Sequence, residues 1–192
     1  MRFPQVVLAL PDWVERFLPD AGRVYDSVEA RMRLVIELAR LNVRNGTGGP
    51  FGAAIFDQDR QTLLAPGVNI VVPSACAVAH AEMMAIMVAQ RVVGSFDLGH
   101  EGLPACELVS STAPCAMCLG AIPWSGVRRL ICGARDEDAR RIGFDEGAKP
   151  SDWPQSLERH GIAVVQDVCR AEAVAVLEEY ARRGGIIYNS RQ

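Results

Sequence analysis

Between Met32 and Val43 apolar residues recur at three- and four-residue steps (Met32, Val35, Ile36, Ala39, Val43), the period of one buried helix face. Asp26 or Ser27 supplies the N-cap, and Asn45-Gly46 stops the run. After the glycine-rich turn GTGGPFG the pattern becomes that of extended chain. Gly52–Asp57 predicts a strand, Asp57–Gln61 a hairpin turn and Leu63–Val72 the partner strand. A helix is expected from about His80 to Arg91, a strand over Glu107–Ser111, a short helix from Cys115 to about Pro123, and a strand over Val127–Gly133. Asp136–Arg141 reads as one or two helical turns, and Gly143–Pro154 as a loop broken by Gly and Pro. Residues 162–166 predict a fifth strand, and 171–183 a closing amphipathic helix with Val174, Leu177 and Tyr180 on one face. Residues 1–25 carry three prolines and no sustained period, which predicts an N-terminal arm or short leader elements. Helix, hairpin, then strands alternating with helices implies an α/β sandwich on a mixed sheet. No repeat or linker divides the chain, so residues 1–192 are read as one domain.

Composition narrows the class. With 49% apolar residues and a net charge of −3, the chain has enough apolar surface to collapse rather than stay disordered. No run approaches the ~18 apolar residues of a membrane span. The start MRFPQVVLALPDW lacks the apolar core and cleavage site of a secretory signal, so the expected location is the cytoplasm. Twenty basic residues, 19 of them Arg, face 23 acidic ones, so the basic excess needed to neutralise a nucleic-acid backbone is missing. Arg128/Arg129 and Arg140/Arg141 are read as solvated surface. Reducing conditions argue against disulfides among the six cysteines. Cys76, Cys106, Cys132 and Cys169 are read as small buried apolar groups. Cys115 and Cys118 stand apart.

Two segments carry chemistry: His80 and Glu82 in VAHAEMM, and Cys115 and Cys118 in APCAMCLG. Each opens a predicted helix, where unpaired amides and the positive end of the helix dipole favour a thiolate. Cysteines three residues apart on a first turn can share one tetrahedral ion, with His80 as third ligand, and this N/S set suits Zn²⁺. Three protein ligands leave one position open for water. That marks a catalytic ion rather than a structural one. Zinc lowers the pKa of such a water from about 15.7 to about 7. Glu82, two residues from His80, can take the water's proton without binding the metal, and can return it to a ring nitrogen and a departing amine. His-x-Glu followed about 35 residues later by Pro-Cys-x-x-Cys is the zinc deaminase pattern.

HAE…PCAMCLGA resembles the cytidine deaminase-like superfamily, in the branch holding guanine deaminases, tRNA adenosine deaminases and related nucleobase deaminases. GGPFGAAIF (48–56), Asn69, GFDEG (143–147) and the tail GGIIYN (184–189) resemble the guanine deaminase subgroup, including bacterial enzymes that act on the s-triazine ammeline. The resemblance runs from about residue 27 to the C-terminus. It implies a three-layer αβα sandwich with a mixed five-stranded sheet, commonly a homodimer whose partner helps close the pocket. It implies one zinc per chain on His80, Cys115 and Cys118, proton shuttling by Glu82, and Glu146 as a second carboxylate beside the expelled amine. Asn69 would hydrogen-bond the base and the Ala81 amide would meet a ring carbonyl. Phe144 would form an aromatic wall completed by Phe51 and Trp124, with Asp145 beside it in the pocket. Ala113 stands where the family often has Glu, and residues 1–25 have no clear counterpart in shorter members.

The leading expectation is hydrolysis of guanine to xanthine and ammonia. Deamination of ammeline, cytosine or a nucleoside uses the same residues. A tRNA adenosine substrate fits the negative charge poorly. From another class, a non-catalytic zinc module would need a fourth ligand, with Cys76 or Cys132 as candidates, and would have no use for Glu82.

Overall fold

In the computed structural model, which describes residues 2–18 and 22–189, the leader packs down onto the domain. Its short helix α1 (Trp13–Phe17) buries Val14, and Leu8 and Leu10 pack with it against Leu38, Val68 and Met84. The Trp13 indole N–H donates to the Thr47 hydroxyl at 2.9 Å, tying the leader to the turn before the first strand. Ser27 caps α2 (Val28–Arg44), its hydroxyl accepting from the Ala30 amide at 3.2 Å. The apolar face expected there is buried, and Asn45 and a left-handed Gly46 end the helix.

β1 (Gly52–Asp57) and β2 (Thr62–Val68) form the expected hairpin. β2 stops short of the expected Val72. The Asn69 side chain accepts from the Val71 amide at 3.3 Å, a local turn that diverts the chain into the one-turn helix α3 (Val71–Ser74). Then follow α4 (Ala81–Val93), β3 (Cys106–Thr112), α5 (Ala116–Ser125), β4 (Arg129–Ala134) and α6 (Asp136–Arg141). The expected loop Gly143–Pro154 ends two residues early, where a helix that was not expected, α7 (Trp153–Arg159), begins. Pro154 had read as a breaker, yet proline is compatible with a helix's first turn, whose N–H groups need no intrahelical partner. β5 (Ala163–Val165) and α8 (Arg170–Arg182) complete the chain.

The sheet order is β2-β1-β3-β4-β5. β1 runs antiparallel to both β2 and β3, whereas β3, β4 and β5 are parallel, so the sheet is mixed and five-stranded as expected. Alternate strand residues face opposite layers. Ala54, Phe56, Val109 and Ile131 meet α2 and α8. Ala53, Ile55, Leu108 and Leu130 meet α4, α5 and α7. Because helices cover both faces, all residues of β1 and β3 are buried, and their sequences show no polar alternation. Cys106 and Cys132 are buried as expected, Cys76 and Cys169 only partly so, and none of the six cysteines is in a disulfide.

Candidate active site

The site forms where two helix N-termini meet at the end of β3. His80 is the N-cap residue of α4 and Cys115 that of α5, both with extended backbone, which turns their side chains out of the helices toward one another. Glu82 and Cys118 follow in the first turns. The Cys115 and Cys118 sulfurs lie 3.4 and 3.6 Å from His80 Nδ1. All three ligand atoms fall within 4.8 Å of one another. A tetrahedral zinc with Zn–S near 2.3 Å and Zn–N near 2.0 Å separates such atoms by about 3.5 Å, so the donor set and its spacing both fit the ion. Among the described residues no other His, Cys, Asp or Glu joins the group, and Cys76 and Cys132 stay outside it. The hydrogen bond from Cys118 pushes the Cys115 thiol down to about 4, and the same bond and burial push Cys118 up.

Glu82 lies beside the ligands, buried. Its carboxyl oxygens accept from the Ser110 hydroxyl at 3.3 Å and from Cys118 Sγ at 3.5 Å. Burial raises its proton affinity above the ordinary carboxylate range, with the Cys115 charge adding to the effect. Such a carboxyl is poised to accept and release a proton.

A cavity of about 340 Å³ opens above these groups. It is lined by His80, Glu82 and Cys115 and, among the other expected residues, by Phe51, Asn69, Phe144, Asp145 and Glu146. The Phe51 and Phe144 rings meet edge to face at 4.9 Å, and Tyr188 adds a third ring 5.0 Å from Phe144. Burial pushes Glu146 up to about 8, helped by the charges of Cys115 and Glu82 and opposed by Lys149. The Asp145 side chain is largely exposed; it accepts from the Gly147 amide at 2.9 Å and pairs with Arg140, shaping the loop rather than reaching inward.

Two expected residues are absent from the cavity lining. Trp124 lies outside the cavity and is 85% exposed, because it sits on the face of α5 turned away from the sheet. The Ala81 methyl packs into the core with Ala85, and the expected contact with the base is through its backbone amide at the first residue of α4. Reasoning from sequence also missed Tyr188 and Asn189 as lining groups, although the tail GGIIYN had been noticed. Asn189 donates to the Gly143 carbonyl and accepts from the Asp145 amide, both at 2.9 Å, which stitches the tail onto the loop. The tail's approach also explains a glycine. A Cβ on Gly49 would stand 2.8 Å from Tyr188 Oη and 3.1 Å from Asn69 Oδ1, too close for either to stay. Asn69 Nδ2 and Tyr188 Oη are buried without a hydrogen-bond partner. Both residues line the cavity, so these atoms are available to a molecule bound there.

The cytidine and deoxycytidylate deaminase zinc-binding region, as a family, matches residues 26–134. The chain belongs to that family. Within it the chain falls in the guanine deaminase subgroup. A guanine deaminase of Bacillus subtilis is 38% identical over 118 residues, which cover 62% of this chain and 71% of the relative. A solved structure of a guanine deaminase from Nitrosomonas europaea shares 46% identity at a TM-score of 0.88, covering 93% of this chain and 97% of that one. A structure of NE0047 in complex with 2,6-diaminopurine shares 46% identity at a TM-score of 0.90 and covers 98% of both chains.

Proposed function

We propose that this deaminase hydrolyses guanine to xanthine and ammonia, with one zinc per chain held by His80, Cys115 and Cys118. The observation that carries the reading is the three-atom ligand group with the buried Glu82 carboxyl beside it, at the floor of a cavity that also holds two unpartnered polar atoms. Zinc held by these three residues would supply the Lewis acidity that makes a water molecule nucleophilic near neutral pH. Glu82 takes a proton from that water as its oxygen bonds to C2, and passes it to the adjacent ring nitrogen. Glu146 donates a proton to the amine lone pair that develops as the C2–N bond breaks, and the proton left on the C2 hydroxyl returns to its emptied carboxylate as the C2 carbonyl of xanthine forms. Asn69 Nδ2 and Tyr188 Oη donate to acceptor atoms along the base's edge, and the rings of Phe51 and Phe144 press on its apolar faces.

The 2,6-diaminopurine held by a relative 46% identical to this chain supports a free purine with an amino group at C2. The tail stitched over the loop supports a small base over a tRNA, a nucleoside or a non-catalytic role. The proposed assembly is a homodimer through α5, whose outward face presents Met117 and Trp124 to solvent. The proposed setting is the cytoplasm, where thiolate ligands stay reduced; no helix among the described residues is long and apolar enough to cross a membrane. Ammonia release from guanine by the zinc-loaded protein tests the activity. Turnover is expected for the wild type and its loss for Glu82→Ala; equal release by both proteins would overturn the reading.

A further inference from the structure

Arginine fills 19 of the chain's 20 basic positions. The exception is Lys149, whose side chain is 4% exposed. Its Nζ donates to the Pro114 carbonyl and to Asp136 Oδ1, each at 2.5 Å, and lies 5.2 Å from the centre of the Trp153 ring. These contacts come from three separate places: the residue before Cys115, the first residue of α6 and the first residue of α7. A compact ammonium can aim its donors in three directions at once, whereas a guanidinium is a flat fork needing partners in one plane. Burying a lone cation is unfavourable unless it is paired, so its full set of partners identifies a built clasp rather than a stray surface charge.

What the clasp closes is the loop that carries Glu146. Residues 143–150 have no repeating secondary structure, and their main chain is fixed at separate points. The Glu146 carbonyl accepts from the Ala116 amide at 2.9 Å, and the Gly147 carbonyl accepts from Arg140 at 2.8 Å. Gly147 presses so close to Ala116 that a Cβ there would stand 2.9 Å from the alanine methyl. Lys149, three residues after Glu146, ties the downstream end of the loop to the same strand–helix junction. We propose that Lys149 is a positioning residue: by binding Pro114 and Asp136 it fixes the Glu146 carboxyl over the reacting amine. This rests on the reading that Glu146 assists loss of that amine.

The test uses the full zinc-loaded chain with guanine. Lys149→Met is expected to lower kcat by about 10- to 100-fold, the effect of displacing a reacting group by roughly 1 Å, while KM moves less than about 3-fold. A purely structural lysine would lower the melting temperature and leave kcat per zinc-loaded molecule unchanged, which would overturn the proposal. The deciding measurement is the double-mutant cycle with Glu146→Gln. If Lys149 acts through Glu146, Lys149→Met costs less than about 3-fold in the Glu146→Gln background, because the group it positions is already disabled. Losses that multiply in full would overturn it. If Glu146→Gln alone keeps wild-type kcat, the role of Glu146 fails first and takes this proposal with it, a distinct result. Should Lys149→Met not fold, Asp136→Asn removes one end of the clasp, and the same non-additive fall in kcat is expected.

Discussion

Replacing Tyr188 by Phe removes a single oxygen, and the structure predicts opposite effects on stability and activity. The ring keeps its contacts with Phe144 at 5.0 Å and with the His80 ring at 6.4 Å. The hydroxyl itself is buried without a partner. An unsatisfied buried hydroxyl costs about 1–3 kcal/mol. Removing it should therefore stabilise the ligand-free protein by about 1 kcal/mol, or about 2–4 °C in Tm for a chain of this size. If, as proposed, that oxygen donates to bound guanine, its loss leaves an acceptor on the substrate buried and unpaired. At about 1–3 kcal/mol this corresponds to a fall of roughly 5- to 150-fold in kcat/KM. Burial keeps the phenol's pKa well above its ordinary value, so it remains a donor throughout the working pH range. Thermal unfolding and steady-state ammonia release, measured on the same zinc-loaded preparation, read the two effects. A lower Tm with unchanged kcat/KM would refute the reasoning, since the oxygen would then serve the fold and not the substrate.

Asp138 accepts from Arg170 at 2.8 and 3.0 Å, from Arg141 at 3.1 Å and from the Arg135 amide at 2.9 Å, and its pKa is lowered from 3.8 to about 2, chiefly by Arg170. A depressed carboxylate stabilises the fold above its unfolded pKa and loses that stabilisation as pH falls through its folded pKa. Asp138→Asn should therefore cost about 2 kcal/mol at pH 7, with the gap to wild type closing between pH about 4 and about 2; chemical unfolding series showing a pH-independent gap would refute that origin. Trp124→Glu places a charge on the exposed apolar face of α5. Sedimentation should show a dimer for the wild type and a monomer for the variant, and a monomeric wild type would remove the proposed assembly.

The metal half of the site was legible in the sequence because its determinants are local. Ligand spacing within one helical turn and a cap position before it fix where His80, Glu82, Cys115 and Cys118 point, whatever the rest of the chain does. The sheet was legible for a similar reason: each strand carries its own pattern, and a helix after β3 and another after β4 make parallel pairing the natural outcome. What escaped depends on contacts between distant segments. Tyr188 becomes a pocket residue only when the tail crosses the loop at Gly143 and Asp145. The start of α7 was hidden by Pro154, whose effect reverses between a helix's first turn and its interior. Trp124 was assigned to the pocket through a family likeness, whereas the direction it faces on α5 is set by which side of that helix meets the sheet.

The two halves of the pocket are consequently built to different tolerances. The reacting half stands on the first turns of α4 and α5, packed against a sheet covered on both faces, where a small displacement would disturb the core. The recognition half is a loop and a tail held by a few hydrogen bonds at Gly143, Asp145 and Ala116, and by one lysine. Such segments accept substitution without unfolding the domain. Selection among amino-heterocycles can therefore change at Asn69 and Tyr188 while His80, Cys115, Cys118, Glu82 and Glu146 keep the same chemistry. The unpartnered Asn69 Nδ2 and Tyr188 Oη follow from that division, because polar atoms left unpaired for one base reject another that fails to meet them. On this reasoning, substitutions at Asn69 and in the tail should redistribute kcat/KM among bases, whereas substitutions at the helix starts or at Glu146 should reduce it for all of them alike.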